Sequence, residues 1–407
     1  MKRHLLVSAL AILAVPLFSW TPGAFAQTTL PADAAAIANP NDLLQPRNVH
    51  DLMLKVMNYQ VHAYGNKYSV AWQSGAFWAG VMAAHTVTGD EDFYDAAHTW
   101  GENAKWAVEK RHYHADDLAV GQSYIDMYLR EQDSALIAPL KTALTPWLTA
   151  TTITRNDVGG GPAGNGAPFI GRNVWWWCDA LFMGPPLLAR MSGATGDKRY
   201  LDLMHTLYWD SADYLLDKDD HLFFRDASNF YPAKKSPTGK KVFWSRGNGW
   251  VYAGLVRTID FIPPDDPQRS KYIDLFKKMS AAIVSYQQPD GTWCSSLNEP
   301  TWIPGPESSG TSFFTFGLLA GINRNWLDQK TYLAPALKGW QGLCGLVGPD
   351  GGVKYSQGVG SAPGATKPET HMDYTQGAFL MAGSEVLRLG PPQGSGRSGA
   401  ATQPAGR

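Results

Sequence analysis

Apolar residues along the chain form two kinds of helical segment that alternate. One kind is nearly apolar on every side and rich in Gly and Ala: residues 74–89 (SGAFWAGVMAAHTVTG), 178–196 (CDALFMGPPLLARMSGATG), 247–262 and 309–325. Residues 116–132 and 375–389 read the same way. Each is followed by a segment whose apolar residues recur at helical spacing opposite a charged face, as in residues 90–110, 134–148 and 197–216. The partner of the last segment is the opening one, residues 43–64. A helix without a polar face suits burial on all sides, and one with a charged stripe suits an outer layer. About six such pairs, recurring every ~40–65 residues, predict an all-α fold: an (α/α)6 toroid of six inner and six outer helices. The competing architecture, an open solenoid, requires polar capping repeats, and the aromatic-rich last segment is not one.

Between the pairs lie Gly/Pro-rich stretches, residues 156–168 and 298–310, of a length that usually carries function. Residues 221–244 alternate around a Pro-Thr-Gly turn and predict a small β-hairpin insertion. The first residues read as an export signal. Lys2, Arg3 and His4 precede an apolar run over residues 5–20, and Ala24-Phe25-Ala26 supplies a small-x-small cleavage site. A retained membrane helix is the alternative, and Pro16 and the small-residue exit argue against it. The expected organisation is a signal peptide over 1–26, one domain over 27–389 and a flexible Gly/Pro-rich tail over 390–407. A periplasmic or secreted location follows, with no stable membrane insertion after cleavage.

Composition narrows the function. A net charge of −1 supplies no field for nucleic acid. The odd count of three cysteines, Cys178, Cys294 and Cys344, excludes a full disulfide framework and leaves a single bridge open. No zinc, calcium or phosphate-loop spacing occurs, so neither a metal nor a cofactor is expected. The 16 tryptophans serve either a large core or a sugar cleft, where a ring face covers the apolar face of a pyranose.

Because inner helices begin at one end of a toroid, polar residues at their starts share a mouth. These are Asp116 and Asp117, Asp179, Arg246 with Asn248, Glu307 with Ser308, and His371 with Asp373. Asp179 follows Trp175, Trp176, Trp177 and Cys178, an apolar setting that raises a carboxyl pKa and suits a general acid. A helix N-cap is the competing role. The Asp116–Asp117 doublet carries the same ambiguity, and two carboxyls on neighbouring helices suit glycoside chemistry. In WSRGNGW (residues 244–250), Arg246 has the planar fork that grips a carboxylate, and Trp244 and Trp250 offer rings for stacking. A cation–π cluster in a turn is the alternative there. Trp177 is a further candidate ring, and His221 and His371 are isolated histidines.

The strings WWWCDALFMGPPLLARMSGATGDKRYLDLM, FWSRGNGWVYAGL, ESSGTSFFTFGLLAGIN and TQGAFLMAGSEVLRL resemble glycoside hydrolase family 105, the unsaturated rhamnogalacturonyl hydrolases, related to the unsaturated glucuronyl hydrolases. The resemblance spans about residues 74–389. It implies an (α/α)6 barrel, no cofactor, and an oligosaccharide substrate ending in a 4,5-unsaturated uronic acid. It places Asp179 as general acid, Asp117 (or Asp116) as second carboxylate, and Trp244, Arg246 and Trp250 in a substrate-binding motif. His221 matches a substrate-contacting histidine, and His371 matches less well. Two rival functions remain: a sugar epimerase, which needs paired histidines at inner-helix starts, and a secreted glycan-binding protein, which needs no acid. N-terminal sequencing of the exported protein is expected to begin at Gln27; an intact Met1 on a membrane-bound species is the contrary result.

Overall fold

The computed structural model describes residues 40–390; the expected signal peptide and residues 391–407 of the expected tail lie outside them. In chain order the helices are α1 (Pro46–Tyr64), α2 (Trp72–Thr88), α3 (Glu91–Asn103), α4 (Gly121–Glu131), α5 (Ala138–Leu144), α6 (Gly171–Val174) and α7 (Ala180–Met183). They continue with α8 (Pro185–Thr195), α9 (Arg199–Leu215), α10 (Ser245–Ile259), α11 (Arg269–Val284), α12 (Ser308–Asn323), α13 (Gln329–Gly345) and α14 (Asp373–Arg388). The inner ring runs α2, α4, α7 with α8, α10, α12, α14, each touching the next, and α14 returns to α2. Around it α3 packs on α2, α9 on α8, α11 on α10, α13 on α12 and α1 on α14. The toroid is therefore closed, and the opening helix pairs with the last, as the apolar pattern predicts.

Closure depends on helices meeting backbone to backbone. A Cβ on Gly80 of α2 would lie 2.1 Å from the carbonyl oxygen of Gly377, and one on Gly377 of α14 would lie 2.3 Å from that of Ala76. A Cβ on Gly254 of α10 would meet the carbonyl oxygen of Leu181 at 2.2 Å. The glycines of the all-apolar segments thus let inner helices approach closer than any side chain allows.

Two expected helices are broken, each at proline, which lacks an N–H and clashes with the preceding turn. Residues 134–148 form a 3-10 turn (Ser134–Ile137), α5 and a second 3-10 turn (Thr145–Leu148), with Pro139 and Pro146 in the run. The segment 178–196 divides into α7 and α8 at Gly184-Pro185-Pro186, where the ring of Trp175 occupies the place of a Cβ on Gly184. The predicted hairpin is also smaller than expected and displaced. It pairs β3 (Leu216–Asp217) with β4 (Leu222–Phe223), while Pro237 and Gly239 lie in a turn closed by the Ser236 N–H donating to the Lys240 carbonyl at 2.9 Å. A second short ladder joins β1 (Thr152–Ile153) to β2 (Ala167–Pro168).

The tryptophans go mainly to the core: Trp147, Trp175, Trp244, Trp250, Trp293 and Trp340 are fully buried. Cys178, Cys294 and Cys344 are all unpaired. Among the described residues, no helix is long and apolar enough to cross a membrane. Gly80→Ala is expected to destabilise the protein by at least about 2 kcal/mol, the scale of overpacking a filled core. Gly345→Ala at the open end of α13, where a Cβ meets nothing within 4 Å, is expected to leave the melting temperature unchanged or slightly raised.

Candidate active site

The inner helices begin at a common mouth. Trp72, first in α2, stacks on Tyr374 at the start of α14 (5.4 Å, 21°) and meets Trp250 of α10 edge-on at 5.9 Å. Asp179 stands just before α7 with φ −60° and ψ −29°, and its carboxylate makes no capping bond to the helix. Capping is therefore not what this side chain does. Cys178 Sγ lies 3.5 Å from Asp179 Oδ2, and Arg225 Nε lies 3.7 Å from the same oxygen. Burial raises the Asp179 pKa, against the opposing charges of Arg225 and Arg246.

The acidic doublet resolves into two different jobs. It lies in a 3-10 turn, Asp116–Leu118, where side chains of successive residues point about 120° apart. Asp117 is 1% exposed, against 17% for Asp116 and 13% for Asp179. Its carboxylate accepts the Arg111 backbone N–H at 2.6 Å and Nε at 2.8 Å, and pairs with Nη2. Asp117 is thus an anchor, contrary to the preference that the resemblance suggested, and Asp116 is the one that looks toward Asp179. Burial first, and then the charge of Asp179, push the Asp116 carboxyl up to about 8. Behind it, His114 Nδ1 accepts the Asp116 backbone N–H at 3.2 Å, and burial lowers the His114 pKa to about 4, keeping the ring neutral. The ring of Trp177 lies against His114 at 4.8 Å, so Trp177 supports the site from one layer back.

The profile of Glycosyl Hydrolase Family 88 matches residues 47–390. The chain belongs to that family. It is 35% identical over 345 residues to an unsaturated 3S-rhamnoglycuronyl hydrolase of Formosa agariphila, covering 83% of this chain and 90% of the relative. A second protein of the same name, from an Alteromonas strain, is 33% identical, with 81% and 83% covered. Among solved structures, a family 88 glycosyl hydrolase from Bacteroides vulgatus aligns with a TM-score of 0.76 at 27% identity, over 84% of this chain and 99% of that one. The protein is a glycoside hydrolase.

The hydrolase uses the remaining residues of its W-x-R-G-x-x-W segment otherwise than expected. Arg246 is 1% exposed; Nη1 donates to the Gln357 carbonyl at 2.6 Å and Nη2 to that of Gly358 at 2.9 Å. Its guanidinium lies 4.5 Å from the Trp244 ring centre and 5.0 Å from that of Tyr374. The fork is thus spent on holding the 357–358 loop, which is the cation–π cluster rather than an open carboxylate grip. Trp244 donates its indole N–H to Gln357 Oε1 at 2.8 Å, and Trp250 is walled in by Phe182 and Phe313. Neither ring presents a face to a ligand. Asn248 clamps β4, accepting the Phe223 N–H at 2.7 Å, and Glu307 caps α12 through the N–H groups of Ser309 and Gly310.

The two isolated histidines are not drawn to the carboxyls. His221 occupies the β3–β4 turn at φ 53°, and His371 packs on Tyr59 at 5.2 Å. Three residues that the sequence reading did not select lie around the pair instead: Arg225 beside Asp179, Trp176 against Arg225, and His114 behind Asp116. Glycine in residues 156–168 makes that enclosure possible. Gly159 (φ 65°) and Gly161 (φ 83°) press on His114 and on Trp176, where a Cβ would lie 2.4 Å and 2.6 Å from the rings. Among the described residues, no group of three His, Cys, Asp or Glu is placed to hold a metal.

The raised Asp116 pKa has a consequence for stability. The native protein keeps a proton on Asp116 that the unfolded chain releases above its ordinary 3.8, so this group's contribution declines as pH rises from about 4 to about 8. Asp116→Asn cannot ionise. Its melting temperature relative to wild type is expected to rise across that window, and a difference independent of pH is the contrary result.

Proposed function

We propose that this hydrolase removes a 4,5-unsaturated uronic acid from the non-reducing end of lyase-generated oligosaccharides, with Asp179 as the acid and base and Asp116 as its partner. One observation carries the reading: two neighbouring, slightly exposed carboxyls, both with raised pKa, at the mouth of a closed helical ring, neither used to cap a helix. Burial raises both carboxyls, and the charge of Asp179 adds to the rise at Asp116. The names of the curated relatives support a glycuronyl residue linked to rhamnose as the bond acted on. The export signal expected from the sequence of residues 1–26 favours action in the periplasm or the medium.

The substrate's C4=C5 bond is a vinyl ether. Asp179 delivers its proton to C4, and the ring oxygen stabilises the cation left at C5. Water adds to C5 and gives its proton to the Asp179 carboxylate, restoring the acid. The hemiketal opens to a ketone, and the hemiacetal left at C1 collapses to free the remaining sugar chain. No covalent glycosyl intermediate is required, so the spacing rules of two-carboxylate glycosidases do not apply.

Turnover is followed by loss of the ultraviolet absorbance of the conjugated double bond, on unsaturated disaccharides with rhamnose at the leaving side. Asp179→Asn keeps the shape and loses the proton, so the rate is expected to fall by roughly 10²–10⁴-fold, with little change in melting temperature. Near-normal turnover in the folded variant defeats the assignment.

A further inference from the structure

With the fork of Arg246 committed to two carbonyls, the site still contains one guanidinium beside the proton donor. Arg225 follows β4, and its carbonyl accepts the Cys178 N–H at 2.8 Å, which ties its backbone to the residue before Asp179. Nη1 donates to Asp226 Oδ2 at 2.6 Å. Asp226 is itself held, accepting the Ser228 N–H at 2.8 Å, the Ser228 hydroxyl at 2.5 Å and the Asn229 amide at 3.2 Å. The guanidinium lies 5.2 Å from the centre of the half-buried Trp176 ring. Nε has no hydrogen-bond partner, and its 3.7 Å separation from Asp179 Oδ2 exceeds bonding range. Among the described residues, the bond to Asp226 is the only hydrogen bond this guanidinium makes. One corner of the fork is therefore fixed, the plane is set against an indole, Nε is buried beside Asp179, and Nη2 makes no hydrogen bond. Arg246, at 1% exposed, has both terminal nitrogens bonded, whereas the Arg225 side chain is 19% exposed with Nη2 unbonded.

The chemistry of the substrate requires a receptor at this place. In a 4,5-unsaturated uronate the carboxylate hangs on C5, one bond from the C4 that takes the proton. A group that grips the carboxylate must therefore stand next to the proton donor. We infer that Arg225 is the receptor for the substrate's uronate carboxylate and selects free-acid substrates. The inference rests on the unsaturated-uronide reading above. A planar, permanently charged fork suits two carboxylate oxygens better than an ammonium does. The fixed corner at Asp226 also means that little side-chain freedom is lost when the substrate arrives.

Comparison of an unsaturated disaccharide with its uronate methyl ester tests this, because the ester keeps the double bond and removes the charge. Wild type is expected to prefer the free acid by about 10–100-fold in kcat/KM, the range for hydrogen bonds to a charged group. Arg225→Gln is expected to lose that preference, with the free-acid loss mainly in KM and the ester little affected. Arg225→Lys retains the charge beside Asp226 and Asp179, guards against failure to fold, and is expected to fall between the two. A structural role lowers both substrates together and leaves the ratio unchanged, so an unaltered acid-to-ester ratio in either folded variant overturns the inference. Inactivity of the wild-type protein toward the free acid overturns the unsaturated-uronide reading itself, and the receptor falls with it.

Discussion

Asp116 is held close enough to Asp179 to feel its charge, and both carboxyls stand in surroundings that exclude most water. Two such groups cannot both ionise cheaply, and the cost grows as the wall around them dries. The local structure limits that cost without abolishing it. Arg225 and Arg246 favour the charged form of Asp179, while burial raises both carboxyls. The third acid of the neighbourhood, Asp117, is removed from the problem by Arg111, which covers it from its backbone and its side chain together. What remains is a pair of carboxyls that burial raises together.

Holding that pair requires a rigid frame, and the ring supplies it through direct backbone contact. The glycines at 80, 377 and 254 let inner helices touch without intervening side chains, so the starts of α2, α10 and α14 are set by packing and not by loops. The break at Gly184-Pro185 has a related effect. It limits α7 to four residues (Ala180–Met183), and Asp179 is delivered by a short turn braced by the tryptophans before it. The Gly-rich stretch over 156–168 then folds back onto His114 and Trp176, closing the side that the helices leave open.

Arginine does most of the work of joining loops to this frame, and its roles separate by how much of each fork is committed. Arg246 gives both terminal nitrogens to carbonyls and leaves a buried Nε without a partner, and Arg111 covers a carboxylate with Nε and Nη2. At the far end of the inner helices Arg190 bonds Asp126 and the Arg257 carbonyl, while Arg257 bonds Gln122, knitting α4, α8 and α10 together. Arg225 is anchored at one corner, by Asp226, and its Nη2 makes no hydrogen bond.

The apolar pattern along the chain specifies the ring. Helical period, the contrast between all-apolar and one-sided segments, and their strict alternation leave few ways to bury so much apolar surface, and those are local properties of the chain. The sequence also singled out Asp179 as a candidate, as an acid among Trp and Cys at a helix start. Which of Asp116 and Asp117 joins it was not legible, since adjacent residues in a tight turn differ only in direction. Nor was the fate of Arg246 or the tryptophans: a fork or a ring has the same identity whether it faces a ligand or a carbonyl on a loop more than a hundred residues away. Arg225 went unselected for the same reason, because its place beside Asp179 is made by a backbone bond to Cys178 and by Asp226. Those contacts exist only once the ring has closed, and direction and occupancy are properties of the assembled structure.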